Sequence, residues 1–142
     1  MQFGSACSAE DLVIGMAYNQ KEMYKDAIAG LEKRRDRAQY DPRLITEIGY
    51  AFALSGQTDQ AKKIIEELNE LGNKRFNRPY YYLSALISSA LGDKDEAFRL
   101  LEKSYEYKEW FFPWLNSDAR FNPLRSDPRF KQLLQNLSFI ES

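Results

Sequence analysis

Residues 42–75 read PRLITEIGYAFALSGQTDQAKKIIEELNELGNKR. Within them Gly49 is followed three residues later by Phe52, nine residues after that by Ala61, and four further on by Ile65. The same frame stands 34 residues earlier, as Gly15, Tyr18, Ala27 and Leu31. Self-similarity at a fixed period marks an array of one supersecondary unit, and at this period the unit is a helix, a turn and a second helix. A glycine inside a helix costs about 1 kcal/mol relative to alanine, so two of them one period apart imply a compensating close approach between helices. The alanines at 27 and 61 admit a neighbour from the second helix of each pair, and the aromatics fill the space beside them.

Working outward, start and stop signals fall where this period requires them. Ser8, three residues before Asp11, opens a first helix as a capping box, and that helix runs to about Asn19. The polar stretch 19–22 makes a turn, and Tyr24, Ala27, Ile28 and Leu31 recur at helical spacing as the buried stripe of a second helix. Asp41 and Pro42 supply an N-cap and a first helical residue, and Ile45, Ile48, Gly49 and Phe52 form the inner face that follows. Gly56 stops this third helix. Thr58 is placed to cap a fourth, whose stripe is Ala61, Ile64, Ile65 and Leu68 and whose end is set at Gly72.

Pro79 then starts a third pair, with a capping box of Asp93 and Glu96 after Gly92 and a stripe of Ala97, Leu100, Leu101 and Tyr105. The frame is 36 residues long here, and the two extra residues are assigned to the linker 74–78, because an insertion within a helix would rotate its apolar face away from the core. The second repeat holds the pattern best. In the third, Ala85 replaces the glycine and Ser88 the aromatic, so its first helix must pack through Tyr81, Leu83 and Leu91.

Beyond Glu109 the composition shifts to Trp110, Phe111, Phe112, Pro113, Trp114 and Leu115, a cluster too apolar to stay exposed. An echo follows, Asp118-Ala119-Arg120-Phe121 and then Asp127-Pro128-Arg129-Phe130, in which each aspartate caps a helical turn and each phenylalanine packs back. A last helix, 128–137, has Phe130, Leu133, Leu134 and Leu137 on one side and Lys131, Gln132 and Gln135 on the other. It closes the hydrophobic end of the array as a cap. The rival reading makes the aromatic segment a docking site.

The chain has 142 residues, a net charge of −1, one cysteine and no histidine. That length suits one domain with its own core. The balanced charge supplies no surplus to neutralise phosphates, which argues against nucleic acid and anionic lipid as partners. No segment approaches the roughly 18 uninterrupted apolar residues of a membrane span. Around Met1 to Cys7 the basic leader and apolar run of a secretory signal are missing, and a single cysteine makes no internal bridge, so the expected location is the cytoplasm. Without histidine the commonest general base and the commonest metal ligand are gone. Cys7 has no histidine to activate it, and Glu66 and Glu67 point in different directions on their helix. No catalytic residue, metal site or cofactor is expected, and the chain reads as a protein that is not an enzyme. The basic run Lys33, Arg34, Arg35, Arg37 is interleaved by Glu32 and Asp36 and reads as a solvated helix face.

Over about 8–109 these repeats resemble the tetratricopeptide family. That resemblance implies an all-α fold, a right-handed superhelical solenoid of about three antiparallel helix pairs with a C-terminal capping helix, in one domain: repeats at about 8–41, 42–75 and 78–111, then 112–142. The stretches Leu91–Phe98, Leu101–Tyr105 and Asn122–Phe130 resemble the tails of bacterial multidomain regulators, adenylate cyclases and serine/threonine kinases, which implies that the chain serves as the C-terminal module of something longer. No motif of such a head domain is present in these residues.

In this family the first helix of each pair lines the concave surface. Counting from Gly15, Gly49 and Ala85, the inner positions are Leu12 and Met16, Thr46 and Tyr50, Tyr82 and Leu86, bordered by Asn19, Gln20, Arg43, Leu54 and Ser89. Members that grip the acidic tails of chaperones carry lysine, asparagine and arginine at such inner positions, and this chain carries none, so no chaperone tail is expected there. An apolar and aromatic groove suits a protein partner, a peptide or a helix whose anchor side chains fill pockets between helices. Of the consecutive tyrosines 80–82, Tyr82 is expected to reach the groove or solvent. Two rivals remain: the chain's own C-terminal aromatics occupy the groove, or the array forms a homodimer that brings attached catalytic or DNA-binding heads together.

Overall fold

The structure, a computed structural model, describes residues 9–35 and 41–141. Ser8, Cys7, Asp36 and Arg37, on which parts of the sequence reading fall, lie outside the described residues. Six helices come in order: α1 (Ala9–Gln20), α2 (Tyr24–Arg35), α3 (Pro42–Leu54), α4 (Thr58–Phe76), α5 (Tyr81–Ala90) and α6 (Lys94–Glu106). Two 3-10 segments follow, Phe112–Ser117 and Ala119–Leu124, and then α7 (Pro128–Glu141). Among the described residues there is no strand, so the all-α class and the helix pairing stand as read. The chain forms two compact units, one up to Pro79 and one from Tyr80.

In the first unit α1 packs on α2, α3 on α4, and both α1 and α2 on α3. Gly15 sits at the tightest point of the first pair: a Cβ there would stand 2.5 Å from Leu31 Cδ2 and 2.8 Å from Leu31 Cγ. The glycine thus admits α2, and Leu31 fills the place of its side chain. Tyr18 departs from the reading. It lies on the surface of α1, 36% exposed, and does not fill the space beside the small residues. Asp41 caps α3 as expected, accepting a hydrogen bond from the Arg43 amide at 2.9 Å.

The turns inside the three pairs share one geometry. Glu22, Gly56 and Gly92 hold positive φ of 61°, 84° and 85°, and the amide after each reaches the carbonyl five residues back, Met23 to Tyr18, Gln57 to Phe52 and Asp93 to Ser88. This is the left-handed C-terminal cap that glycine adopts without strain.

Helix limits and caps differ from the sequence reading at five places, the last helix being one, since it runs to Glu141 and not to 137. Gly72 does not end α4: it is buried, continues the Ala61, Ile64, Leu68 stripe, and the helix runs on to Phe76, where Asn77 at φ 59° takes the left-handed cap. The extra residues of the third frame therefore partly lengthen α4 at its end, which leaves its apolar face unrotated. Thr58 is the first helical residue and Gln57 the cap position. Pro79 stands two residues ahead of α5, whose cap position is Tyr80. Of the Asp93 and Glu96 box only half forms: Asp93 accepts from the Glu96 amide, while the Asp93 amide is used by the turn, and the Glu96 carboxylate takes Arg99 instead.

In the second unit α5 packs on α6 and on segment Ala119–Leu124, and α7 on α6 and on Phe112–Ser117. All residues of α5 from Tyr82 to Ser89 are buried, so the helix is covered on every side and not only through Tyr81, Leu83 and Leu91. The aromatic its frame lacks arrives from downstream: Phe111 stacks on Tyr82 at 6.0 Å and Phe121 meets it edge-on at 5.2 Å. α7 buries Phe130, Leu133 and Leu137, as a cap should. The cluster 110–115 is only partly covered. Phe112 and Leu115 are buried, one 3-10 turn apart, whereas Trp110 and Trp114 are 74% and 53% exposed and pack edge to face against each other.

Candidate partner-binding surface

On α1, Leu12, Met16, Asn19 and Gln20 recur at four, seven and eight residues and so share a face. On α3, Arg43, Thr46, Tyr50 and Leu54 recur at three, seven and eleven residues and likewise share a face. Asn19 joins the two stripes: its Nδ2 donates to Glu47 Oε2 at 2.8 Å and to the Glu47 carbonyl at 3.3 Å. The Glu47 carboxylate is buried, and the Asn19 amide spans α1 and α3 without adding a charge. Asn19 and Thr46 are themselves buried, the Thr46 hydroxyl donating to the Pro42 carbonyl at 2.6 Å. Leu12, Met16, Tyr50 and Leu54 are partly exposed and Gln20 fully so. This first-unit face is apolar with a polar border.

Arg43 is exposed, but its guanidinium forks onto Asp41, Nε to Oδ1 at 3.2 Å and Nη2 to Oδ2 at 3.0 Å. The same clamp recurs at Asp118 with Arg120 and at Asp127 with Arg129. In each case the aspartate also accepts the arginine's own amide, and the next residue, Leu44, Phe121 or Phe130, is buried. Asp-x-Arg followed by a large apolar residue is thus a structural unit used three times. The aspartates were legible as caps, but the role of the arginines was not.

The second unit treats its groove positions differently. Tyr82, Leu86 and Ser89 are buried. Tyr82, expected at the surface, is 2% exposed, and its hydroxyl donates to Asp118 Oδ2 at 2.8 Å. Burial first, and then the Asp118 charge, push the Tyr82 hydroxyl well above its ordinary range. Burial opposes ionisation of Asp118, yet the hydrogen bonds and charge of Arg120 and the Tyr82 hydroxyl hold it below the usual carboxylate range. The chain's own C-terminal aromatics therefore cover α5 at Tyr82. The start of α5 is closed the same way, because the buried Glu109 carboxylate accepts the amides of Tyr81 at 3.0 Å and Tyr82 at 2.8 Å. No local motif signals this cap, which stands 27 and 28 residues from the amides it serves.

The basic run on α2 is partly committed. Arg35 pairs with Glu32 on its own helix and with Glu67 on α4, and Arg34 donates to the Gly30 carbonyl at 3.0 Å. Sequence reasoning also missed an open cleft of about 450 Å³ between α1 and α2, floored by Gly15, Gly30 and Leu31 and flanked by Ile14 and Tyr18. Its signal was Gly30, a mid-helix glycine outside the repeat frame. Among the described residues no group of three or more cysteine, aspartate or glutamate side chains is placed to hold a metal ion, and no helix is long and apolar enough to cross a membrane.

No curated protein and no solved structure matches the chain. A family model does, that of the tetratricopeptide repeat, over residues 79–109. The match falls on the third pair, whose first helix has Ala85 and Ser88 where the other two have glycine and an aromatic, and it ends at the buried Glu109. With its two helices and a left-handed turn at Gly92 in register with Glu22 and Gly56, this stretch of the chain has the form of the tetratricopeptide repeat it matches.

Proposed function

We propose that the chain is a noncatalytic binding module that holds a peptide or partner helix against the face shared by α1 and α3. Tetratricopeptide repeats serve in general as scaffolds for protein interactions, and the chain's role is of that coarse kind. The finer reading rests on one observation: Leu12 and Met16 on α1, and Tyr50 and Leu54 on α3, stay partly exposed on two packed helices. An amphipathic helix anchors on such rows through residues three and four apart. The positions on α5 carry no part of this role, since Tyr82, Leu86 and Ser89 are buried. A single cysteine, which makes no internal bridge, favours the cytoplasm as its place of action.

Selection of binders from a displayed library of helical and extended peptides supplies a ligand for the test. Tyr50→Ala and Leu12→Ser each weaken that ligand about tenfold or more, as loss of an anchor does, while circular dichroism stays unchanged. Undiminished binding by both folded variants would remove the α1–α3 face from consideration.

A further inference from the structure

We infer that the α1–α2 cleft is the contact surface for a second copy of this chain, arranged about a two-fold axis with the two α2 helices antiparallel and crossing at Ala29 and Gly30. The cleft contains none of the α1–α3 groove positions, so the inference stands apart from peptide binding.

Gly30 is the starting point. It lies inside α2, yet a Cβ built on it would meet nothing nearer than Arg34 Nη1 at 3.7 Å. Among the described residues nothing packed against Gly30 requires glycine there, in contrast to Gly15. A helix-interior glycine is nevertheless unfavourable relative to alanine, and its gain is the close approach of another backbone. Around it the surface is apolar where a soluble helix pair is ordinarily polar: Ile14 and Tyr18, which flank the cleft, are 46% and 36% exposed, and neighbouring Val13 is 60% exposed.

Charge then selects the occupant. Along α2 the cleft is lined by Asp26, Ala29 with Gly30, and Lys33 with Arg34, residues that recur at helical spacing on one side. An acidic group stands at one end, small residues in the middle and basic groups at the other end. Such a row is complementary to itself when reversed. About an axis between Ala29 and Gly30, Asp26 of each copy faces Lys33 of the other, and the small residues meet at the crossing. Two-fold contacts are isologous, so every favourable pair is made twice. The exposed Ile14 and Tyr18 of both copies close over the crossing as its apolar core, with the charges at the rim.

Sedimentation equilibrium on the full chain, from about 1 µM to about 1 mM, tests the arrangement. The expected result is a monomer–dimer equilibrium that Gly30→Arg abolishes. That substitution meets no more than an ordinary contact with Arg34 and improves helix propensity, so the fold survives it. Asp26→Lys creates two like-charge pairs and weakens the dimer about tenfold or more, and adding Lys33→Asp to it restores affinity to within about threefold. A chain monomeric throughout the range overturns the inference, as does a dimer indifferent to Gly30→Arg. A double variant no tighter than Asp26→Lys overturns it too, since only reversed pairing of these two residues predicts the rescue.

Discussion

Glu22 holds a backbone conformation that its side chain disfavours. At φ 61° it occupies the turn position that Gly56 and Gly92 take in the later pairs, and for a residue with a Cβ the left-handed region costs roughly 1–2 kcal/mol. Replacing Glu22 with glycine should therefore stabilise the chain by about 1 kcal/mol in urea unfolding, and Gly92→Ala should destabilise it by a similar amount. No atom lies within 4 Å of a Cβ at Gly92, so the second effect is conformational and not steric. Glu109→Ala belongs at the same scale. It leaves the first two amides of α5 without their buried carboxylate, and a loss of about 2 kcal/mol follows from unsatisfied buried donors. Asp41, Gly56 and Gly92 were legible because their work is local: a cap or a turn is chosen by the residue itself. Glu22 was not, since nothing in a glutamate announces a left-handed turn except its register 34 residues before Gly56. Glu109 was not, since its partners are brought to it by the folding of α5 onto α6.

Between elements, small residues decide distance. Gly15 lets Leu31 reach the α1 backbone, so Gly15→Ala must displace a side chain that is 1% exposed. Overpacking of that kind costs about 1–3 kcal/mol, against about 1 kcal/mol gained in helix propensity. The variant should be destabilised in the native background and neutral or stabilised in a Leu31→Ala background, and equal effects in both would deny the contact. The period made this approach readable, because a costly glycine recurring at a fixed place in a repeat marks where a neighbouring helix comes close. Gly72 looked like the same kind of punctuation as Gly56 and was not: it lies in the buried stripe of α4, and helical spacing from Leu68 outweighs its habit of ending helices. The exposure of the inner positions was legible at Leu12 and Met16 on α1 and at Tyr50 on α3, while Thr46 is buried. On α5 it was misread, because what covers Tyr82 comes from Phe111, Asp118 and Phe121, about 30 residues and more beyond it. No periodic pattern carries information of that range.

At the scale of the whole molecule, ionisation should stress the second unit in a way that can be followed separately. Both tryptophans, Trp110 and Trp114, belong to it, so intrinsic fluorescence tracks that unit. Asp118 and Asp127 have carboxyls held below their ordinary value of 3.8, Asp127 at about 2 through its hydrogen bonds from the Arg129 side chain and amide. A carboxylate depressed in the folded state stabilises it fully above the ordinary value, and that contribution is lost as pH falls through the folded values, here from about pH 4 to about pH 2. Tyr82 has the opposite sign of shift. Burial and Asp118 raise it above its ordinary value of 10, so the folded state keeps a proton that the unfolded state releases, and stability declines as pH rises past about 10. The urea midpoint read by tryptophan fluorescence should be flat between these limits and fall on both sides. Tyr82→Phe removes the Asp118 hydrogen bond and should cost about 1.5 kcal/mol near neutrality. It should also flatten both limbs, the alkaline one because the titrating hydroxyl is gone and the acid one because Asp118 has lost a donor that favoured its charge. A variant with limbs as steep as the parent's would show that the Tyr82–Asp118 pair does not govern them.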